Sequence, residues 1–158
     1  MRKRFFGVLQ FVLLASAGTL QAQYTNAIGI RGALAPGLTI KHHLTHDHAV
    51  EAIVQTRWRG VMVTGLYEVH LPALGVDNLR WYLGGGGHLG VWSQTTSNNP
   101  WFENEGGVVI GFDGIGGIEY TLEDIPLNFS LDWKPGFNLI GHSGLYASDG
   151  ALSIRYAF

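Results

Sequence analysis

The sequence predicts an all-β fold, an antiparallel up-and-down barrel of eight transmembrane strands. Three observations carry that prediction. Apolar residues recur at every second position and glycine interrupts most windows, which is the period of strands and not of helices. Most strand-like segments run 8–11 residues, close to the roughly 9–11 of a tilted membrane-crossing strand. Within each segment the charges share one face and the bulky apolar residues hold the other.

The first segment needs separate treatment. "MRKRFFGVLQFVLLASAGTLQAQ" opens on Arg2, Lys3 and Arg4, continues apolar from Phe5 to about Gly18, and closes on small and polar residues. This is the layout of a secretory signal peptide. Its apolar core falls short of the ~20 residues a spanning helix needs, so residues 1–23 are expected to be removed, with cleavage after Ala22 or Gln23. Residues 24–158 then form one domain. The 158 residues include no cysteine, which excludes a lipid anchor at the cleavage point, a disulfide framework and a thiolate metal site. Without Arg2, Lys3 and Arg4, seven basic residues face twelve acidic ones, a formal charge of −5. Nucleic acid is therefore not an expected partner, because its phosphates demand a basic face.

Eight strands follow in order: Asn26–Ala33, Leu38–Thr45, Ala49–Trp58, Val61–Leu71, Leu79–Trp92, Val108–Leu122, Leu127–Lys134 and Gly150–Phe158. The first two join across Ala35, Pro36 and Gly37, and the third turns into the fourth at Arg59 and Gly60. "PALGVDN" leads into the fifth, "SQTTSNNPWFENEGG" connects the fifth to the sixth, and "EDIP" turns into the seventh. Pro135 and Gly136 are expected to begin a polar loop. Turn-forming residues occupy these connections for the usual conformational reasons.

The faces decide between a soluble sheet and a membrane barrel. In the fourth strand Val61, Val63, Tyr67 and Val69 oppose Thr64, Glu68 and His70; in the seventh, Leu127, Phe129, Leu131 and Trp133 oppose Asn128, Ser130, Asp132 and Lys134. The pairs Glu51 and Arg57, Asp113 and Glu119, and Asp132 and Lys134 each fall on a single face. Small and charged residues on one side with bulky apolar ones on the other fit a narrow, filled barrel facing lipid. The expected lumen network is Arg31, Lys41, Arg57, Arg80, Lys134 and Arg155 against Glu51, Glu68, Asp113, Glu119 and Asp132. An unpaired charge there would cost several kcal/mol, so these groups are expected to pair and close the lumen. His42 falls on the lipid-facing parity, and a register change in the second strand would remove that conflict.

Aromatics supply an independent test, since membrane barrels carry aromatic girdles at both interfaces. With the first strand running outward, Trp58 and Trp133 end strands at the outer interface, while Trp81, Tyr120, Tyr156 and Phe158 lie at the inner one. "SQTTSNNPWFENEGG" and "GFNLIGHSGLYASDG" then become the two long outer loops.

With the signal peptide, the eight strands, the longer outer loops and the terminal "IRYAF" in place, the chain resembles a small eight-stranded outer-membrane β-barrel protein of the OmpA-transmembrane-domain or OmpX type. "GIEYTLEDIPLNFSLDWKPGFNLIG" further resembles small outer-membrane barrel proteins of Bacteroidota. The resemblance implies the outer membrane of a Gram-negative bacterium, surrounding lipid, and a terminal signal at Tyr156 and Phe158 read by the barrel-assembly machinery. It implies no shared catalytic site and no cofactor.

Four stretches could carry chemistry. In "GGGGHLG", Gly85, Gly87 and Gly90 have dinucleotide-loop spacing, but that motif requires a following helix and here a strand continues. "KHHLTHDH" holds four of the seven histidines, and His46, Asp47 and His48 could form a surface zinc or copper site. A solvated turn is the competing reading, since no second ligand cluster is evident in sequence. "GHSG" sets His142 beside Ser143, as in lipid-A-modifying barrels that use a serine and a histidine; neighbours on an extended chain point oppositely, which disfavours that pair. In "NNPWFENE", Trp101 and Phe102 could contact an extracellular ligand or pack on the rim. The expectation is thus a monomeric, non-enzymatic barrel with a closed, salt-bridged lumen, acting structurally or through its outer loops. A narrow ion or small-solute pore is the first alternative, and a lipid-A-modifying enzyme the second.

Overall fold

The computed structural model describes residues 24–33, 35–57, 59–93, 106–147 and 149–158. Residues 1–23, expected to be a signal peptide, and Trp58, Trp101 and Phe102 lie outside the described residues. The strands are β1 (Asn26–Ala33), β2 (Gly37–His43), β3 (His48–Arg57), β4 (Gly60–Pro72), β5 (Leu79–Trp92), β6 (Gly107–Thr121), β7 (Leu127–Trp133), β8 (Gly136–Ile140), β9 (Gly144–Tyr146) and β10 (Gly150–Ala157).

Each of β1 to β6 pairs antiparallel with the next, β7 pairs with β10, and β10 returns to β1. Eight staves therefore close an up-and-down barrel, and the seam is completed by reciprocal backbone bonds between Asn26 and Phe158 at 2.9 and 2.8 Å. Closure satisfies every stave on both sides and removes the unpaired edge that an open sheet would expose.

The seventh and eighth staves correct the expected loop after Pro135. Gly136 and Asn138 stay buried while Phe137 and Leu139 stay exposed, so the alternation of β7 runs on through β8. The ladder to β6 continues with it, from Gly116 opposite Trp133 to Asp113 opposite Gly136, and the Pro135 carbonyl accepts from Gly114 N at 2.9 Å. Proline has no N–H to donate, and this interrupts the ladder without turning the chain. The reversal comes at Gly141, whose φ of 91° suits glycine, and β9 returns along β8. β2 also ends two residues earlier than expected, because Leu44 N and Thr45 N both turn back to His48 O.

The barrel is inverted relative to a water-soluble protein. Ile30, Leu38, Leu83 and Phe112 are 61–63% exposed on the outer wall, whereas Arg31, Lys41, Glu68, Lys134 and Arg155 are 0–1% exposed inside. Charged residues are almost never fully buried unless paired, so the lumen must contain partners for them. Gly117 makes room for one of its fillers: a Cβ there would lie 2.7 Å from the Tyr82 ring and 2.6 Å from the Leu131 carbonyl. Gly85, Gly87 and Gly90 remain within β5, with no helix after them.

The tight connection from β4 to β5 contains a strained position. Leu74 and Gly75 both have positive φ, 53° and 65°, and Val76 N bonds Ala73 O at 3.1 Å. This is the geometry of a type I′ turn, which prefers asparagine followed by glycine. Leu74→Asn is expected to raise stability by about 1 kcal/mol, the strain of a left-handed non-glycine residue. A lower or unchanged urea midpoint for the folded band in unheated gels would contradict this.

Candidate functional site

The inward residues fall into two ionic groups. Near the end that carries Tyr24 and Phe158, called here the terminal end, β2, β3, β4, β6 and β10 contribute Lys41, Glu51, Glu68, Glu119 and Arg155. Period-2 alternation points all five into the lumen. Lys41 Nζ lies 2.8 Å from Glu68, 3.3 Å from Glu119 and 3.5 Å from Glu51. Arg155 reaches Glu51 at 2.5 Å and donates to Ser130 at 2.7 Å, Asn128 at 3.2 Å and Thr39 at 3.2 Å. The Thr39 hydroxyl donates to Glu51. Across this end lies Tyr24, whose hydroxyl donates to Glu119 at 3.4 Å and accepts from Asn128 Nδ2 at 2.9 Å.

The group toward the opposite, distal end is built around three aspartates. Arg31 holds Asp132 with two contacts of 2.6 and 2.7 Å, the fork geometry that makes arginine–carboxylate pairs strong. Lys134 lies 2.9 Å from Asp149 and 3.3 Å from Asp113. His88 contacts Asp113 at 2.7 Å and Asn138 at 2.9 Å, and the Tyr146 hydroxyl donates to Asp113 at 2.6 Å. Tyr82 joins the two groups: the Lys41 ammonium sits 4.2 Å from its ring centroid and its hydroxyl donates to Asp132 at 2.8 Å. With Ile53, Leu66 and Ile115 it also forms a small apolar cluster inside the barrel.

Among the described residues, four buried lysines and arginines face six buried carboxylates. His70 and His88, each touching a carboxylate, are the further buried groups able to carry positive charge. A small cavity at the distal mouth is lined by Ala35, Gln55, Arg57, Met62, Trp92, Tyr146 and Asp149.

Of the expected lumen charges, Arg31, Lys41, Glu51, Glu68, Asp113, Glu119, Asp132, Lys134 and Arg155 are brought together inside. Arg57 is half-buried and lines the distal mouth. Arg80 departs from the expectation. Its guanidinium leaves the lumen for the β2–β3 turn, bonding His46 O at 2.5 Å and Asp47 at 3.0 Å, because it stands one residue from the start of β5. Asp149 was missed through its assignment to a loop. For His70, Tyr82 and His88 the signal that could have found them is strand parity: His70 shares the face of Glu68, and Tyr82 and His88 share that of Arg80.

Outside the lumen, Trp81, Tyr120, Tyr156 and Phe158 face outward toward the terminal end, and Tyr156 and Phe158 stack at 6.1 Å. Trp133 faces outward at the other end of β7 and donates to Ala147 O at 2.6 Å. His42 needs no register change. It stands exposed opposite Asn26 at the strand end, with Nδ1 2.8 Å from Asn26 Oδ1. In the turn, His46 bonds Asp47 at 2.6 Å, and this contact, with Arg80 beside it, holds the Asp47 carboxyl below the usual carboxylate range. His48 instead bonds the Tyr67 hydroxyl at 2.8 Å. His142 and Ser143 occupy the exposed β8–β9 turn.

A solved structure shares this arrangement of eight closed staves. The N-terminal β-barrel domain of Pseudomonas aeruginosa OprF superimposes with a TM-score of 0.62 over 84% of this chain and 95% of that domain. The fold is that of an eight-stranded outer-membrane β-barrel. At 14% identity the likeness concerns the fold alone and carries no residue of the lumen across. No family model matches the chain, and no curated protein matches it in sequence.

Proposed function

We propose that the protein is an integral barrel of a Gram-negative outer membrane, with a lumen closed by its ionic network and a structural or surface-interaction role at its distal end. The inversion of the wall carries this reading. An outer surface of Ile, Leu, Val and Phe around a fully buried set of charges is stable in lipid and unfavourable in water. In this reading β1 runs outward, the terminal end faces the periplasm, and the stacked Tyr156 and Phe158 serve as the signal for the barrel-assembly machinery. β5 and β6, of 14 and 15 residues, are the longest of the described strands, and the 93–106 connection joins them at the distal end. That connection, which includes Trp101 and Phe102, would contact an extracellular ligand. The barrel works as a monomer.

The closed lumen is supported by side chains that span it in every direction, including Arg155 from β10 to Glu51 on β3 and Arg31 from β1 to Asp132 on β7. Eight strands leave an interior just wide enough for such side chains. The refolded protein in a planar bilayer is therefore expected to show no steady open-state current, and to run as a faster band in gels before boiling. Steady currents that change when Glu68 or Arg155 is replaced would establish the pore reading instead. Altered lipid A on expression would establish the enzymatic one.

A further inference from the structure

The histidine-rich stretch "KHHLTHDH" acquires a second half only in the folded barrel. His43, the last residue of β2, turns its ring inward, where it meets His70 from β4 and Glu119 from β6. One donor atom from each lies within 4.8 Å of the other two. The His43 and His70 ring centroids are 5.1 Å apart.

We infer that His43, His70 and Glu119 form a binding site for a divalent transition ion of the zinc class, entered from the terminal end of the lumen. Two imidazoles and a carboxylate are a donor set that zinc accepts, with room for a fourth ligand.

Three further observations support a cation here. His70 Nδ1 and Glu119 Oε1 lie 3.1 Å apart, so two donor atoms converge on common space. The other ring nitrogen, Nε2, lies 3.2 Å from Glu68 Oε2; the tautomer that donates Nε2–H to this carboxylate keeps the Nδ1 lone pair for an ion. His43 Nδ1 is buried with no hydrogen-bond partner.

Charge also permits the ion. Among the described residues, Glu51, Glu68 and Glu119 face two permanent cations, Lys41 and Arg155, with His70 adding a charge only when protonated. Lys41 competes for Glu119, but at Oε2 and from 3.3 Å, while Oε1 faces His70 at 3.1 Å and accepts the longer Tyr24 bond of 3.4 Å, which an ion would displace. Tetrahedral zinc places its ligands about 3.3–3.5 Å apart, so a pair at the 4.8 Å limit must close by about 1.4 Å. His43 is half-buried at a strand end and is the member free to move. The Tyr24 ring covers His43 edge-on at 4.9 Å, which places it at the entrance.

The test uses the refolded full barrel in detergent without a polyhistidine tag. Calorimetric titration with ZnCl2 is expected to give one ion per chain, and CoCl2 to give the intense visible bands of a four- or five-coordinate site. His43→Ala and His70→Ala should each weaken zinc by more than about tenfold, and Glu68→Gln by about 10–100-fold through loss of the ring's orienting partner. The double variant His46→Ala/His48→Ala should bind as the parent does. Heat-modifiable migration checks each variant's fold, and His43→Ala at the strand end serves where His70→Ala does not refold. Absence of stoichiometric binding by the parent would overturn the inference. So would binding that survives His43→Ala but disappears in the His46/His48 double variant.

Discussion

Replacing Lys41 by methionine is expected to lower the stability of the refolded barrel by about 3–5 kcal/mol, the usual cost of removing one partner from a buried ionic group. The ammonium is the common neighbour of Glu51, Glu68 and Glu119, and all of these side chains are 0–2% exposed. Arg155 reaches only Glu51, so Glu68 and Glu119 would be left sharing His70 as their charge partner. The loss will appear as a lower urea midpoint for the compact band in unheated gels. Lys41→Met/Glu68→Gln should recover part of the deficit, because the amide removes one of the stranded charges. A single variant as stable as the parent would show that water or protons, and not Lys41, neutralise this end.

Gly86→Val should prevent assembly, with a cost of more than about 4 kcal/mol, while Gly65→Val should be tolerated. The two glycines face each other across β4 and β5, one step apart in register. A Cβ on Gly86 would lie 1.8 Å from the Gly65 carbonyl oxygen and 2.9 Å from the Leu66 Cα, and backbone atoms within a ladder cannot move aside. A Cβ on Gly65 meets nothing within 4 Å and points to the outer wall. Opposite outcomes in the two gels would separate a steric requirement of the lumen from a general need for glycine in this sheet. Normal migration by Gly86→Val would refute the close approach.

The prediction at Gly86 illustrates what the sequence left open. "GGGG" shows that β5 is thin, but not which glycine a neighbouring backbone crosses. That depends on how far one tilted strand slides along the next, and side-chain alternation is insensitive to a slide of two residues. The same limit applies to the ionic groups. Parity correctly sends Lys41, Glu51 and Arg155 inward, yet it says nothing about which of them share a height in the lumen. Arg80 has inward parity as well and still bonds the His46–Asp47 turn, because a long side chain near a strand end can choose the rim.

The stretch after Pro135 departs from its expected loop for a related reason. Proline, glycine and asparagine resemble a loop when counted along the chain, and only the ladder from β6 shows that Gly136 to Ile140 prolongs a stave. Asp149 was placed outside with that loop, although it faces Lys134 at 2.9 Å.

The sequence by itself determined the number of staves, the alternation that puts lipid-compatible residues outside and charges inside, and the outward placement of Trp81, Trp133 and Tyr156. These follow from local rules, the two-residue repeat of a strand and the chemistry of each face. The tertiary structure alone decided which charges meet, that His43, His70 and Glu119 share one end of the lumen, and that the β8–β9 hairpin extends the wall. Those residues are separated by tens of positions in the chain. Their meeting is set by closure and inter-strand register, which belong to the whole barrel and to no single strand.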